Sequence, residues 1–247
     1  MDRMLYISMS GAKQTMLAQT VNSNNLANVS THGFREDFFQ QRSQQVFGDG
    51  HASRVYAMTE NPGFKSQAGI LDTTGRQLDV AINGDGWFAV QADPQTGEEA
   101  LTRAGNFKVD EAGFLVTPDG HQVLGDGGPI NLPPFEQIEI GTDGTLSILP
   151  VGQDAAALAV VDRVKLVNPP MEDLFKGKDG LIRLKNGAGA DVDPGVRIVS
   201  GALETSNVSA VESLVQMIDL SRRYEMQVKM MKTADRAAEI TTQMMRL

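Results

Sequence analysis

The last 39 residues of the chain, Ser209 to Leu247, contain neither glycine nor proline. An uninterrupted run of that kind predicts one helix to the end of the chain, about 57 Å long at 1.5 Å per residue. Ala210, Leu214, Met217, Ser221, Tyr224, Val228, Met231, Asp235, Ala238, Thr242 and Met245 alternate steps of four and three, the spacing of a coiled-coil face. A flanking stripe of Val211, Val215, Ile218, Met230, Ala234, Ala237, Ile240 and Met244 makes the apolar surface wider than one partner helix can cover. Ser209 with Glu212 three residues on has the form of a capping box.

The opposite end repeats the pattern: Leu5, Met9, Ala12, Met16, Gln19, Ser23 and Leu26 again alternate four and three. Two amphipathic helices of an ordinary core would give a similar pattern. Terminal helices of this length around a strand-rich middle fit a filament or tube subunit better, with the seam residues as the surface between copies. On this reading Leu5, Met9, Ala12, Met16, Leu26, Leu214, Met217, Tyr224, Val228, Met231 and Met245 are the expected assembly interface.

The first helix should stop near Asn28, where helix-weak residues cluster and Gly33 is free to take a positive φ. From residue 78 onward, short β-prone runs alternate with Asp85-Gly86, Asp119-Gly120, Asp126-Gly127, Asp143-Gly144 and Asp179-Gly180. Asp-Gly is the preferred type I′ hairpin pair, so antiparallel sheet is expected here. The expectation is an α+β protein in which long N- and C-terminal helices form a coiled-coil-like domain around a central, mainly antiparallel all-β domain. The paired helical domain takes residues 1–30 and 205–247, an extended linker with short strands takes 31–75, and the β domain takes 76–204.

Charge follows the same division. Of the net −9, residues 1–30 and 209–247 each carry +1, leaving −11 on residues 31–208. Near-neutral ends can be packed in many copies without mutual repulsion, and an acidic middle disfavours nucleic acid. Asp219 with Arg223 and Glu225 with Lys229 are i,i+4 pairs in the favourable order. The absence of cysteine excludes disulfides, thiolate metal sites and cysteine nucleophiles. No continuous apolar block predicts membrane insertion or a Sec-type signal.

Catalytic and cofactor motifs are not found. The Asp-Gly pairs lack the calcium-loop spacing, and Gly84-Asp-Gly86 and Gly125-Asp-Gly127-Gly128 lack the third glycine and following helix of a dinucleotide fingerprint. His32, His51 and His121 are far apart, with no His-Glu-x-x-His spacing. No cofactor, metal or catalytic residue is expected. Trp87, at a strand start, and the twelve methionines are assigned to packing. The rival from another class is a wall hydrolase using two acids of the β domain, since paired carboxylates are not excluded by sequence.

Four blocks resemble the flagellar axial family, the rod, hook and hook-associated proteins of bacteria. Asn25-Leu-Ala-Asn-Val-Ser-Thr-x-Gly-Phe-Arg35 resembles its N-terminal rod signature, with Asn25, Leu26, Ala27, Asn28, Gly33 and Phe34 as motif residues. Gly75-Arg-Gln-Leu-Asp-Val-Ala-Ile82 with Gly84-Asp-Gly-Trp-Phe88 resembles its sheet entry, and Thr102-Arg-Ala-Gly-Asn-Phe107 adds a third block. Gly201-Ala-Leu-Glu-Thr-Ser-Asn-Val208 is similar to its C-terminal signature, with Ser206, Asn207 and Val208 as motif residues. Within the family, the opening Met1 to Ala12 and Arg222-Arg-Tyr-Glu-Met-Gln-Val-Lys-Met231 are similar to proximal rod subunits, and the runner-up is a distal rod subunit. The resemblance implies a non-enzymatic, self-assembling subunit that transmits torque in the basal-body rod, within the periplasm. It further implies export through the flagellar type III apparatus, and copies of itself and neighbouring proximal and distal rod subunits as partners.

Overall fold

The computed structural model describes residues 3–45, 55–93, 97–152 and 158–246. His51 lies outside them. Two compact units result, one from residues 1–29, 36–65 and 208–247, the other from 30–35 and 66–207. The stretch read as a linker is thus shared between both units, and much of it is strand.

The first unit contains helix α1 (Arg3–Ala27), strands β1 (Asp37–Gln45) and β2 (Val55–Phe64), and helix α2 (Ala210–Met244). Ser209 caps α2, its hydroxyl accepting the amide of Glu212 at 3.4 Å. The helices run antiparallel, since Asn22 Nδ2 donates to Ser213 O at 2.8 Å while Gly11 faces Gln227. The antiparallel β1–β2 hairpin, with a bulge between Phe38 and Gln40, packs on α1, where Ser10 Oγ donates to Ala57 O at 3.4 Å.

The α+β class holds in outline, but the coiled-coil-like domain expected of the two helices does not. The unit includes a β-hairpin, and small and polar side chains replace apolar knobs between the helices. The buried positions of α1 are Ser8, Gly11, Ala12, Thr15, Ala18, Asn22 and Asn25, and those of α2 are Ser213, Leu220 and Ala234. The α1 seam is displaced by one residue from the one that large hydrophobics suggest. Gln227 accounts for one such position: a Cβ on Gly11 would lie 2.9 Å from Gln227 Cδ, so the end of that side chain lies against α1 there and would have to shift. Glycine inside a helix costs about 1 kcal/mol relative to alanine, so its use here marks that contact.

The second unit is antiparallel sheet. Its largest sheet runs in the order Leu174–Lys176, Ile182–Leu184, Glu98–Thr102, Trp87–Asp93, Gln122–Gly125, Leu115–Val116, Lys108–Val109. Phe135–Ile140, Thr145–Pro150 and Ala159–Arg163 form a three-stranded sheet. Two further pairs join Val80–Asn83 to Arg197–Ser200 and Leu71–Thr73 to Ala202–Glu204. Val80, Ile82, Phe88, Phe107, Ile138, Leu146 and Ile198 are among the residues of one shared core, in which the Phe88 and Phe107 rings meet edge to face with centroids 5.3 Å apart.

The turns differ from the expected type. No described residue other than glycine has positive φ, which excludes type I′ turns, whose two central residues both need it. In Gly141-Thr-Asp-Gly144 the Gly144 amide donates to Gly141 O at 3.0 Å, Gly144 has φ +88°, and Gly141 N donates to Thr145 O at 2.8 Å. That is a type I turn closed by a left-handed glycine bulge. Asp143 Oδ2 accepts the Thr145 hydroxyl at 2.8 Å, which holds its carboxyl below the usual carboxylate range.

Candidate assembly interface

On the helices, small residues pack inward and large apolar ones face out. Met9 and Met16 are 52% and 55% exposed, and Leu214 and Met245 are 49% and 77% exposed. Tyr224 lies on the exposed side as well. Leu5, Leu26, Met217, Val228 and Met231 are half-buried, and Ala12 is buried. Exposed apolar residues that the sequence pattern assigned to flanks or left out are Tyr6, Leu17, Val211, Val215, Ile218 and Met226. Exposed apolar residues of this kind make these helix faces a candidate interaction surface. Among the described residues no helix is long and apolar enough to cross a membrane.

The signature asparagines clamp backbone. Asn25 Nδ2 donates to Asp37 O at 3.0 Å and its Oδ1 accepts Asp37 N at 2.9 Å, fixing the start of β1 against α1. Asn28 Nδ2 donates to Asn24 O at 2.9 Å, at the helix end, while Ala27 is exposed.

In the second unit the four sequence blocks converge on one buried ionic knot. Glu204 Oε1 meets Arg35 Nη1 at 2.8 Å and Glu204 Oε2 meets Arg103 Nη1 at 2.9 Å, with none of the three side chains more than 4% exposed. Both guanidinium groups stack on Trp87, at 5.6 Å and 5.2 Å from its ring centroid. Arg103 Nη2 donates to Gly84 O at 2.7 Å, Arg35 Nη1 to Gln67 O at 2.5 Å, and the Gly69 amide to Glu204 Oε1 at 2.9 Å. Burial pushes both arginine pKa values down from their usual range, and Glu204 opposes that shift.

Gly33 makes the knot possible. It has φ +70°, its amide donates to Glu204 O at 2.8 Å, and a Cβ there would lie 2.3 Å from the Arg103 carbonyl carbon. Lys176 Nζ donates to Arg35 O at 2.8 Å and stands 3.8 Å over the Phe34 ring. Asn207 N donates to Phe34 O at 3.3 Å and Asn207 Nδ2 to Gln67 O at 2.9 Å. Ser206 is half-buried, and Val208 is buried in the first unit. The sequence reading gave Trp87 a packing role but did not bring Arg35, Arg103 and Glu204 together; the available signal was a strong charge inside each glycine-rich block.

This arrangement defines a structural protein built for assembly: terminal helices with their apolar residues outward, and a β unit tied by its signature residues. Three family models match the chain, the flagella basal body rod protein over residues 5–35, the flagellar hook protein FlgE/F/G D1 domain over 81–148 and the flagellar basal body rod FlgEFG protein C-terminal region over 199–244. The flagellar basal-body rod protein FlgF of Salmonella typhimurium is 42% identical over 95% of both chains, and that of Escherichia coli is 41% identical over 95% of both. The rod protein FlgG of Bacillus subtilis is 34% identical, over 95% of this chain and 96% of its own. The chain belongs to the flagellar basal-body rod protein family. It is a structural subunit of the rod, located in the flagellar basal body.

Proposed function

We propose that the chain is a non-catalytic subunit of the proximal part of the rod, assembling with its own copies and with adjacent rod subunits and passing torque through side-to-side helix contacts. The observation that carries this reading is the inversion of the helix surfaces, with Gly11 and Ala18 inside and Met9, Met16 and Leu214 outside. A monomer with no further partner gains nothing from that exposure. The proximal position is supported by the FlgF proteins of Salmonella typhimurium and Escherichia coli, 42% and 41% identical, against 34% for FlgG of Bacillus subtilis. The FlgG similarity is also the reason a distal position remains the second reading.

A photo-crosslinking amino acid at Met16, in basal bodies purified from motile cells, tests both. Crosslinks to the chain itself and to proximal rod subunits are expected. Crosslinks confined to distal rod and hook subunits would favour the distal reading, and a chain missing from purified basal bodies would overturn assembly altogether. Incubation of the purified chain with peptidoglycan should release no fragments.

A further inference from the structure

The first unit carries a groove and, on the same chain, a segment that matches it. The groove has a volume of about 340 Å³ and is lined by Ile7 and Gly11 of α1, Val55 and Ala57 of β2, and Gln227 and Met230 of α2. That lies at the small end of ligand pockets, which run from about 300 to 1,000 Å³, and its walls are mostly apolar; the size suits a few side chains.

The matching segment is the end of α2. Its buried positions stop at Ala234, and every described residue from Asp235 to Arg246 is exposed. The register set by Asn22 on Ser213 and Gly11 on Gln227 brings the start of α1 level with this point. The last three turns therefore run on with no helix beside them among the described residues, showing Ile240, Met244 and Met245 at 52%, 68% and 77% exposure.

We propose that the end of α2 of one copy seats Ile240 and Met244 in the Ile7–Val55–Met230 groove of a second copy, head to tail; this rests on the rod reading above. The chain's own tail cannot fill its groove. α2 is one continuous helix, which carries Met244 about 21 Å beyond Met230 at 1.5 Å per residue.

Charge favours a second copy as the occupant. By sequence, the first unit has 11 Lys and Arg against 10 Asp and Glu, a net +1, while the second unit holds the remaining −10. Contacts between copies through the first unit avoid the repulsion that the acidic units would impose. The two surfaces are themselves balanced: Asp235 and Glu239 against Arg236 and Arg246 on the tail, and in the groove wall Arg42, paired with Glu60 at 2.6 Å. Methionine, unbranched and adaptable, suits such a socket. A head-to-tail contact of this kind is heterologous and propagates along a filament or around a ring.

The absence of native cysteine allows a direct test in the full chain, in cells that build basal bodies. Val55→Cys and Met244→Cys are combined, basal bodies are oxidised, and subunits are separated without reductant. A ladder of disulfide-linked multiples of the chain is expected from the double variant and not from either single one. Detection of the double variant in basal bodies without a ladder, or with only the dimer that Met244→Cys alone gives, would overturn the contact and leave the rod reading intact. Absence of the unmodified chain from basal bodies would overturn the rod reading itself. As a second measurement, Ile240→Lys with Met244→Lys should lower copy-to-copy crosslinking at least tenfold with an unchanged melting temperature; undiminished crosslinking would also overturn the proposal.

Discussion

Arg35 and Glu204, from near opposite ends of the chain, meet at 2.8 Å with both side chains 1% exposed. Arg103 takes the other carboxylate oxygen at 2.9 Å. Glu204→Gln would keep the shape and remove the one negative charge between two buried guanidinium groups. Breaking a buried pair by losing one partner costs about 3–5 kcal/mol, so the urea midpoint of the β unit should fall accordingly. A midpoint unchanged within error would show that Trp87, together with the charge of Asp85 that also favours both guanidinium groups, suffices in place of Glu204.

Gly33→Ala should be at least as damaging by a different route. The left-handed backbone alone costs a non-glycine residue about 1–3 kcal/mol, and the new methyl would meet the Arg103 backbone at 2.3 Å. Loss of cooperative melting in the second unit is expected, whereas Gly120→Ala, positive in φ but with open space around it, should keep cooperative melting.

Met16→Asp separates assembly from folding. Met16 is 55% exposed, and surface substitutions usually stay within about 0.5 kcal/mol. The melting temperature of the purified chain should hold while incorporation into basal bodies and swimming are lost. Normal motility would place Met16 outside the contacts between subunits. Val228→Asp, at a half-buried position of α2, should reduce incorporation and also loosen α2 from the unit.

Helix pairs joined through Ser8, Gly11, Thr15, Ala18 and Asn22 bury little apolar area. At about 25 cal/mol per Å², such a seam offsets little of the ordering cost of α1 and α2. In dilute monomer, amides of residues 5–26 and 210–245 should exchange far faster than those of the Trp87–Asp93 and Gln122–Gly125 strands. Equal protection in both units would refute this.

Acid should weaken the second unit through Asp179. Arg183 donates to both its oxygens, at 2.9 and 2.6 Å, and these bonds hold its carboxyl below the usual carboxylate range. A folded-state value below the unfolded one contributes stability that is present at neutral pH and lost as pH falls through the folded value. Asp179→Asn should therefore show a shallower decline of the urea midpoint below about pH 4, and an identical slope would discount the pair.

Strands were the legible part of this chain. Gln122 to Leu124, Leu146 to Ile148 and Leu181 to Leu184 all fall within or beside observed strands, because turn glycines and alternating β-branched residues are local signals. The turn type was misread, since Asp-Gly can open a type I′ turn or close a type I turn with a bulge, and only φ decides. The β1–β2 hairpin is legible only as short strands within a linker, because its Gln-rich strand has no apolar alternation to show the pairing. On α2, Ala210, Met217, Val228 and Met231 of the expected seam are half-buried, while the buried positions are Ser213, Leu220 and Ala234 and the expected Leu214, Ser221, Tyr224 and Asp235 are exposed. Counting large hydrophobics finds the face that wants to be covered, and in a subunit made for assembly that face is not the one its own fold covers. The knot was invisible for another reason, because three blocks supply one charge each and the fourth supplies Trp87, and only the fold brings them together.

The knot also fixes where a pull on the chain is felt. Residues 30–35 enter the β unit, and 204–207 leave it, side by side, joined by the Gly33 amide on Glu204 O, the Asn207 amide on Phe34 O and the Arg35–Glu204 bridge. Tension applied at residues 30 and 207 would load that short clasp first. Because Trp87 opens the Trp87–Asp93 strand and lies under both guanidinium groups, that clasp ties the entering and leaving segments directly to the sheet and its core.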